Sequence, residues 1–147
     1  MLKRKPEEDL LAYCADNEIG VVAYSPLRSG ILTDQFGRRR LGTMAENDWR
    51  RGDSDFQEPR VTINIEFTEK LRDIAANIDQ PLSNLAVAWV LARPEVTSAI
   101  VGARRRDQIE NTAPGGDLQL SPQILTQIEA LLAEREKELA EAETLAA

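Results

Sequence analysis

Two short stretches of the chain gather residue types able to hold an anion. In GVVAYSPLRSGIL, Gly20 to Leu32, an apolar run stops at Ser25-Pro26, and a hydroxyl and a glycine follow side by side at Ser29-Gly30. A glycine-containing turn can aim backbone N–H groups at one spot, and a serine hydroxyl adds a further donor, which is the chemistry of a phosphate cradle. An ordinary strand-ending turn has the same composition, so both readings stand at this point. The second stretch, SAIVGARRRDQIENT, leaves an apolar run through Gly102-Ala103 and reaches Arg104, Arg105 and Arg106. A guanidinium forks onto phosphate oxygens. A merely solvated loop also carries such charge.

Composition removes several other chemistries. The 147 residues include no histidine, so no Ser-His or Cys-His nucleophile pair and no His-ligated zinc site exists in this chain. No spacing suggests a metal site, a Walker loop or GxGxxG. The single cysteine, Cys14, cannot form an internal disulfide. Together with an N-terminus, MLKRKPEEDLL, that has no apolar segment behind its basic residues, this points to a cytoplasmic setting. No apolar run approaches the ~20 residues of a membrane helix. A net charge of −7 argues against nucleic acid as a partner, despite the triplets Arg38–Arg40 and Arg104–Arg106. The acidic runs Glu7-Glu8-Asp9 and 134–141 read as helix-dipole and solubility features.

The elements that position these residues follow from periodicity. Pro6 and the acids after it open a helix over about 7–17, and IGVVAY (19–24) reads as a strand buried on both faces of a parallel sheet. Residues 28–63 form a long connection that Trp49 and Phe56 would anchor. Phe67, Leu71, Ile74, Ala75 and Ile78 mark a helix with Asn64 as its N-cap. A second helix runs from Pro81 to before Pro94, a second strand covers about 98–101, and RRDQIENT is a short helix. The last helix starts with Ser121 as cap and Pro122 at its first position, and 134–147 is its end and a fraying tail. Alternating helix and strand gives an α/β class, mostly helical by residue count. Two parallel strands do not make a sheet that stands alone, so the chain reads as part of something larger.

These segments, in this order, resemble the aldo-keto reductases, especially the branch that holds the potassium-channel β subunits and many bacterial reductases. GVVAYSPLRSGILT is similar to the family's seventh strand, SAIVGARRRDQIENTAP to its eighth strand and nucleotide loop, PLSNLAVAWVLARPEV to the helix between, and LKRKPEEDLLAYCADNEIG to its sixth helix. The resemblance implies that residues 1–147 are the C-terminal part of a (β/α)8 TIM barrel, a fold of ~250 residues, carrying strands 7 and 8 with flanking helices. It implies an NADP(H)-dependent oxidoreductase that reduces aldehydes or ketones by hydride transfer. The catalytic Asp, Tyr, Lys and His would lie on strands absent here. This chain would then contribute no catalytic residue, and a small carbonyl substrate would bind only if the earlier strands complete it.

By the same resemblance, Tyr24, Ser25, Pro26, Leu27, Ser29 and Gly30 line the nucleotide, with Ser25, Leu27 and Gly30 at the pyrophosphate and Tyr24 near the nicotinamide or the barrel mouth, without proton transfer. Gly102 binds the nucleotide, Arg104 meets the 2′-phosphate that distinguishes NADP from NAD, Gln108 touches the nucleotide, and Asn111 and Thr112 lie against adenine. Two departures stand out: Gln35 replaces a phosphate-binding lysine, for which one of Arg38–Arg40 would substitute, and Asn111 replaces a usual glutamate. The alternative is a non-catalytic nucleotide-binding or interaction module whose open strand edges drive assembly with itself or a partner chain. RNA binding fits worst, because the chain is acidic and poor in aromatics.

Overall fold

Val21–Tyr24 (β1) and Val96–Ile100 (β2) are short runs rich in β-branched residues, and they pair in parallel. Val22 faces Ser98, Ala23 faces Ala99 and Tyr24 faces Ile100, after an irregularity between Val21 and Val22 that leaves Thr97 outside the register. The computed structural model describes residues 1–145; Ala146 and Ala147, the end of the expected tail, lie outside the described residues. Among the described residues this two-stranded ladder is the sheet. The expectation of strands buried on both faces is corrected: Val22 is 54% exposed, Tyr24 82% and Ile100 58%. Partners in a ladder share a face, so one apolar face of the sheet is open to solvent.

Contacts divide the chain into two units, Met1–Arg28 with Ser83–Ser121, and Ser29–Leu82 with the residues from Pro122 onward. In the first unit, the helix expected over 7–17 is split into a 3-10 turn, Lys5–Glu7, and α1, Leu10–Asp16. α1 ends in a Schellman arrangement. The Ile19 N–H donates to the Cys14 carbonyl (2.8 Å), the Glu18 N–H to Ala15 (3.2 Å), and Glu18 takes the left-handed φ of 53°.

α4, Leu82–Leu91, is buried at every position from Leu82 to Val90. Two guanidinium groups lie over the indole of Trp89, Arg4 at 5.8 Å and Arg93 at 5.0 Å from the ring centre. Both arginines donate to Glu7 Oε2 at 2.8 Å. Glu7, expected to be a solubility feature, is thus the bridge that holds the pair over the ring. α5, Arg106–Thr112, leads into the turn Ala113–Gly116. There a Cβ on Gly115 would stand 2.9 Å from the Asn84 Cα and 3.1 Å from the Val87 Cβ, so only glycine permits this approach of the turn to α4.

In the second unit, residues expected to be an unstructured connection form α2, Arg38–Gly42, and two 3-10 turns, Trp49–Gly52 and Ser54–Phe56. Arginines satisfy the carbonyls of this segment. Arg51 donates to Met44 (2.6 Å) and Ala45 (2.9 Å), and Arg72 reaches Thr33 (3.4 Å) and Phe36. Phe56 is buried edge-on to Phe36, ring centres 6.0 Å apart, as an anchor should be; Trp49 is 63% exposed and anchors nothing.

α3 spans Arg60–Ala76, starting four residues before Asn64, so Asn64 is not its cap. The side chain instead lies fully buried, where its Nδ2 donates to the Asp55 carbonyl (2.8 Å) and its Oδ1 accepts from Arg135 Nε (2.9 Å). Arg135 belongs to α6, Pro122–Leu145, which begins at the expected proline but continues through the region expected to fray, because Arg135 and Leu139 are buried. α3 packs on α6, burying Phe67, Leu71, Ala75, Ile128 and Leu132.

α3 closes as α1 does: the Gln80 N–H donates to Ala75 and the Asp79 N–H to Ala76, both at 3.0 Å, with Asp79 at φ 53°. Replacing Asp79 by glycine removes that strain and is expected to stabilise the protein by about 0.5–1 kcal/mol in thermal unfolding; a lower melting temperature would contradict the assignment. Gly115→Ala is expected to cost about 1–3 kcal/mol through the forced shift of α4 backbone. Gly116→Ala, next door and facing open space, is its control; equal losses from both would sink the close-approach argument.

Candidate functional site

A parallel ladder puts the carboxyl ends of both strands at one end of the sheet, so the chain leaving Tyr24 and the chain leaving Ile100 emerge together. After β1, Tyr24 and Ser25 are exposed, Pro26 is buried and Leu27 half-buried. The Arg28 N–H donates to the Ser25 carbonyl at 2.9 Å, which closes a turn. Ser25 has φ 53°, and Arg28, Ser29 and Gly30 follow at 42°, 56° and 98°. Left-handed backbone is free for glycine and costs about 1–2 kcal/mol at each other residue. Three non-glycine residues in six therefore hold a conformation that local preference does not supply.

After β2, Gly102, Ala103 and Arg104 are exposed. Gln108, in the first turn of α5, reaches back: its Oε1 accepts from the N–H of Arg104 (2.8 Å) and of Arg105 (3.3 Å), and so shapes the loop. Its NH2 remains as a donor without a protein partner among the described residues. The arginine triplet separates by function. Arg105 forks onto Asp107 at 2.9 and 2.8 Å and holds that carboxyl below its ordinary range, chiefly by hydrogen bonding. Arg106 binds Glu110 at 2.6 Å. Among the described residues the Arg104 guanidinium has no ion pair or hydrogen bond. Farther along α5, Asn111 is exposed, while Thr112 is buried and its hydroxyl donates to the Gln108 carbonyl at 2.8 Å.

The first unit thus brings Tyr24–Leu27 and the residues from Gly102 to Thr112 to one sheet end. Ser29 and Gly30 belong to the second unit. There Arg50 Nη1 donates to the Ser29 carbonyl (3.2 Å) and Thr33 Oγ1 to the Gly30 carbonyl (2.8 Å). Arg50 is held in turn by Asp48, through Nε (2.9 Å) and Nη2 (2.6 Å), and this pushes the Asp48 carboxyl far below its ordinary range. Sequence reasoning passed over Arg50, because it lies 21 residues from the carbonyl it holds and no local spacing marks it. Arg38, Arg39 and Arg40 are exposed in α2. Among the described residues no cluster of three or more metal-ligating side chains occurs, and no helix is long and apolar enough to cross a membrane.

The aldo/keto reductase family pattern matches residues 1–133. The chain is 30% identical over 123 residues to the NADH-specific methylglyoxal reductase of Escherichia coli (strain K12), covering 82% of this chain and 36% of that protein. It is 27% identical over 137 residues to a probable voltage-gated potassium channel subunit beta of Arabidopsis thaliana, covering 92% and 42%. The fold superimposes on the glycerol dehydrogenase AKR11B4 of Gluconobacter oxydans with a TM-score of 0.82 and 26% identity, over 90% of this chain and 40% of that one. The chain therefore spans between 36% and 42% of the length of these relatives. A match that runs through both strands and the loops at their carboxyl ends leaves one assignment: this chain belongs to the aldo/keto reductase family.

Proposed function

We propose that the chain is the nucleotide-binding, C-terminal part of an NADPH-dependent aldo-keto reductase, with β1 and β2 as the seventh and eighth strands of a (β/α)8 barrel. The uncommitted Arg104 guanidinium carries this reading. It stands exposed at the strand end where such barrels bind ligands, while both neighbouring arginines are neutralised by their own helix. A dianionic 2′-phosphate is the partner that a free, forked cation there suits. In this reading Ser25 and Leu27 border the pyrophosphate, the Gln108 NH2 and Asn111 face the adenosine, and Thr112 supports them from within α5. In the second unit, the same reading gives the Ser29–Gly30 turn to phosphate oxygens. The nucleotide, when bound, supplies the hydride that reduces an aldehyde or ketone. This chain's residues bind and orient it, and the acid–base residues come from the strands that precede β1 in the barrel.

A second reading, a module that assembles with itself or with a partner chain, is favoured by the open apolar face of Val22, Tyr24 and Ile100.

Calorimetric titration with NADPH and NADH tests the first reading. Saturable binding that prefers NADPH is expected, with Arg104→Ala weakening NADPH about tenfold or more and leaving NADH unchanged. Equal affinity for both nucleotides would refute the role of Arg104, and a preference for NADH would align this chain with its NADH-specific relative. Sedimentation velocity tests the second: a concentration-dependent oligomer is expected, and a strict monomer across the accessible range would end the self-assembly form of that reading.

A further inference from the structure

We propose that Arg50 is a positioning residue: it holds Ser29 in its left-handed conformation and so presets the Ser29–Gly30 turn for phosphate oxygens. The second half of this statement rests on the nucleotide-binding reading above; the first half does not.

Ser29 sits at φ 56° and ψ 26°, a conformation that an L-residue avoids unless its surroundings impose it. The imposing contact is the donor Arg50 Nη1 on the Ser29 carbonyl at 3.2 Å. A charged donor on that carbonyl fixes the direction of the peptide that joins Ser29 to Gly30, and with it the direction of the Gly30 N–H. The donor is itself immobilised. Nε and Nη2 of Arg50 fork onto the two oxygens of Asp48, and its guanidinium carbon lies 5.8 Å from the centre of the Phe56 ring. Asp48 is placed by capping the turn Trp49–Gly52, where its Oδ1 also accepts from the Arg50 N–H at 3.1 Å. Thr33 Oγ1 holds the next carbonyl, Gly30, at 2.8 Å.

Arg50 is therefore committed on three of its nitrogens, and its side chain is only 19% exposed. That arrangement suits a residue that acts through the turn rather than one that grips a ligand. Arg51 supplies the comparison within the same helical turn. It too donates to carbonyls, but to those of Met44 and Ala45 and not to that of Ser29. A role limited to holding the connecting segment together would be shared by both arginines; a role in presetting Ser29 belongs to Arg50 alone.

Amide hydrogen exchange at Ile31 and Leu32, whose side chains are fully buried just beyond the turn, reads the clamp without any ligand. Arg50→Ala is expected to speed exchange there about tenfold, the loss of one charge-assisted hydrogen bond. In a Ser29→Gly background, where the left-handed backbone needs no clamp, the same change is expected to speed it less than about threefold. Arg51→Ala is expected to leave both amides at the wild-type rate. Equal acceleration in the two backgrounds, or from Arg51→Ala, overturns the clamp. NADPH titration of the same proteins reads the presetting. Arg50→Ala is expected to weaken binding, and the added Ser29→Gly to restore most of it. Weakening that Ser29→Gly does not restore overturns presetting in favour of direct contact. Absence of NADPH binding in the unmodified chain overturns presetting by removing the nucleotide reading, while the exchange rates still decide whether Arg50 holds Ser29.

Discussion

A parallel ladder cannot be closed by a tight turn, and that constraint organises this chain. The carboxyl end of β1 and the amino end of β2 lie at opposite ends of the sheet, so the polypeptide must cross back over residues 25–95 before Val96 can meet Val21. The whole connecting segment, α2, α3 and α4 fall within that crossover. The same geometry that imposes the long return also sends the Ser25 turn and the Gly102–Arg104 loop out of one sheet end. Candidate binding residues nearly eighty positions apart are neighbours in space because the strands run in the same direction.

The second unit meets a different demand, which is to seat charged side chains among apolar ones. Arg135 is buried, and burial pushes its guanidinium below its ordinary pKa, opposed by the Asp55 carboxylate. It remains a cation, as guanidinium groups do. Leaving such a group without partners would be costly, so the Arg135–Asn64–Asp55 chain of hydrogen bonds is a condition for packing α3 on α6. Arginines elsewhere in this unit serve as donors to carbonyls. The 28–59 segment has no ladder of its own, and Arg50, Arg51 and Arg72 take the place of strand partners for Ser29, Met44, Ala45, Thr33 and Phe36.

Periodicity made α3, α4 and α6 legible, because their buried stripes recur at helical spacing, and a β-branched run followed by Ser-Pro or Gly-Ala marked both strands. Its failures have physical causes. Asn64 looked like a cap because short polar side chains favour helix starts, yet two buried partners, the Asp55 carbonyl and Arg135, outweigh that preference inside the helix. The end of α6 looked frayed because acids dominate it, yet Arg135 and Leu139 bury on one side while the acids face water. The strands looked doubly buried because their composition suits a covered sheet, and two strands leave one face open. At the candidate site, residue types were readable and allegiance was not. Nothing in the run Arg104-Arg105-Arg106 shows that two of the three are neutralised at short range and one is left over.

The Arg4–Glu7–Arg93 bridge over Trp89 has a spectroscopic consequence. The chain contains two tryptophans; Trp89 is enclosed in the first unit, and Trp49 stands in water in the second. Their indoles emit from opposite environments, a blue-shifted band from the enclosed ring and a red-shifted one near the aqueous limit from the exposed ring. Each unit thus carries its own fluorophore. The order in which the two bands change during denaturation distinguishes two units that melt as one from two that part company first.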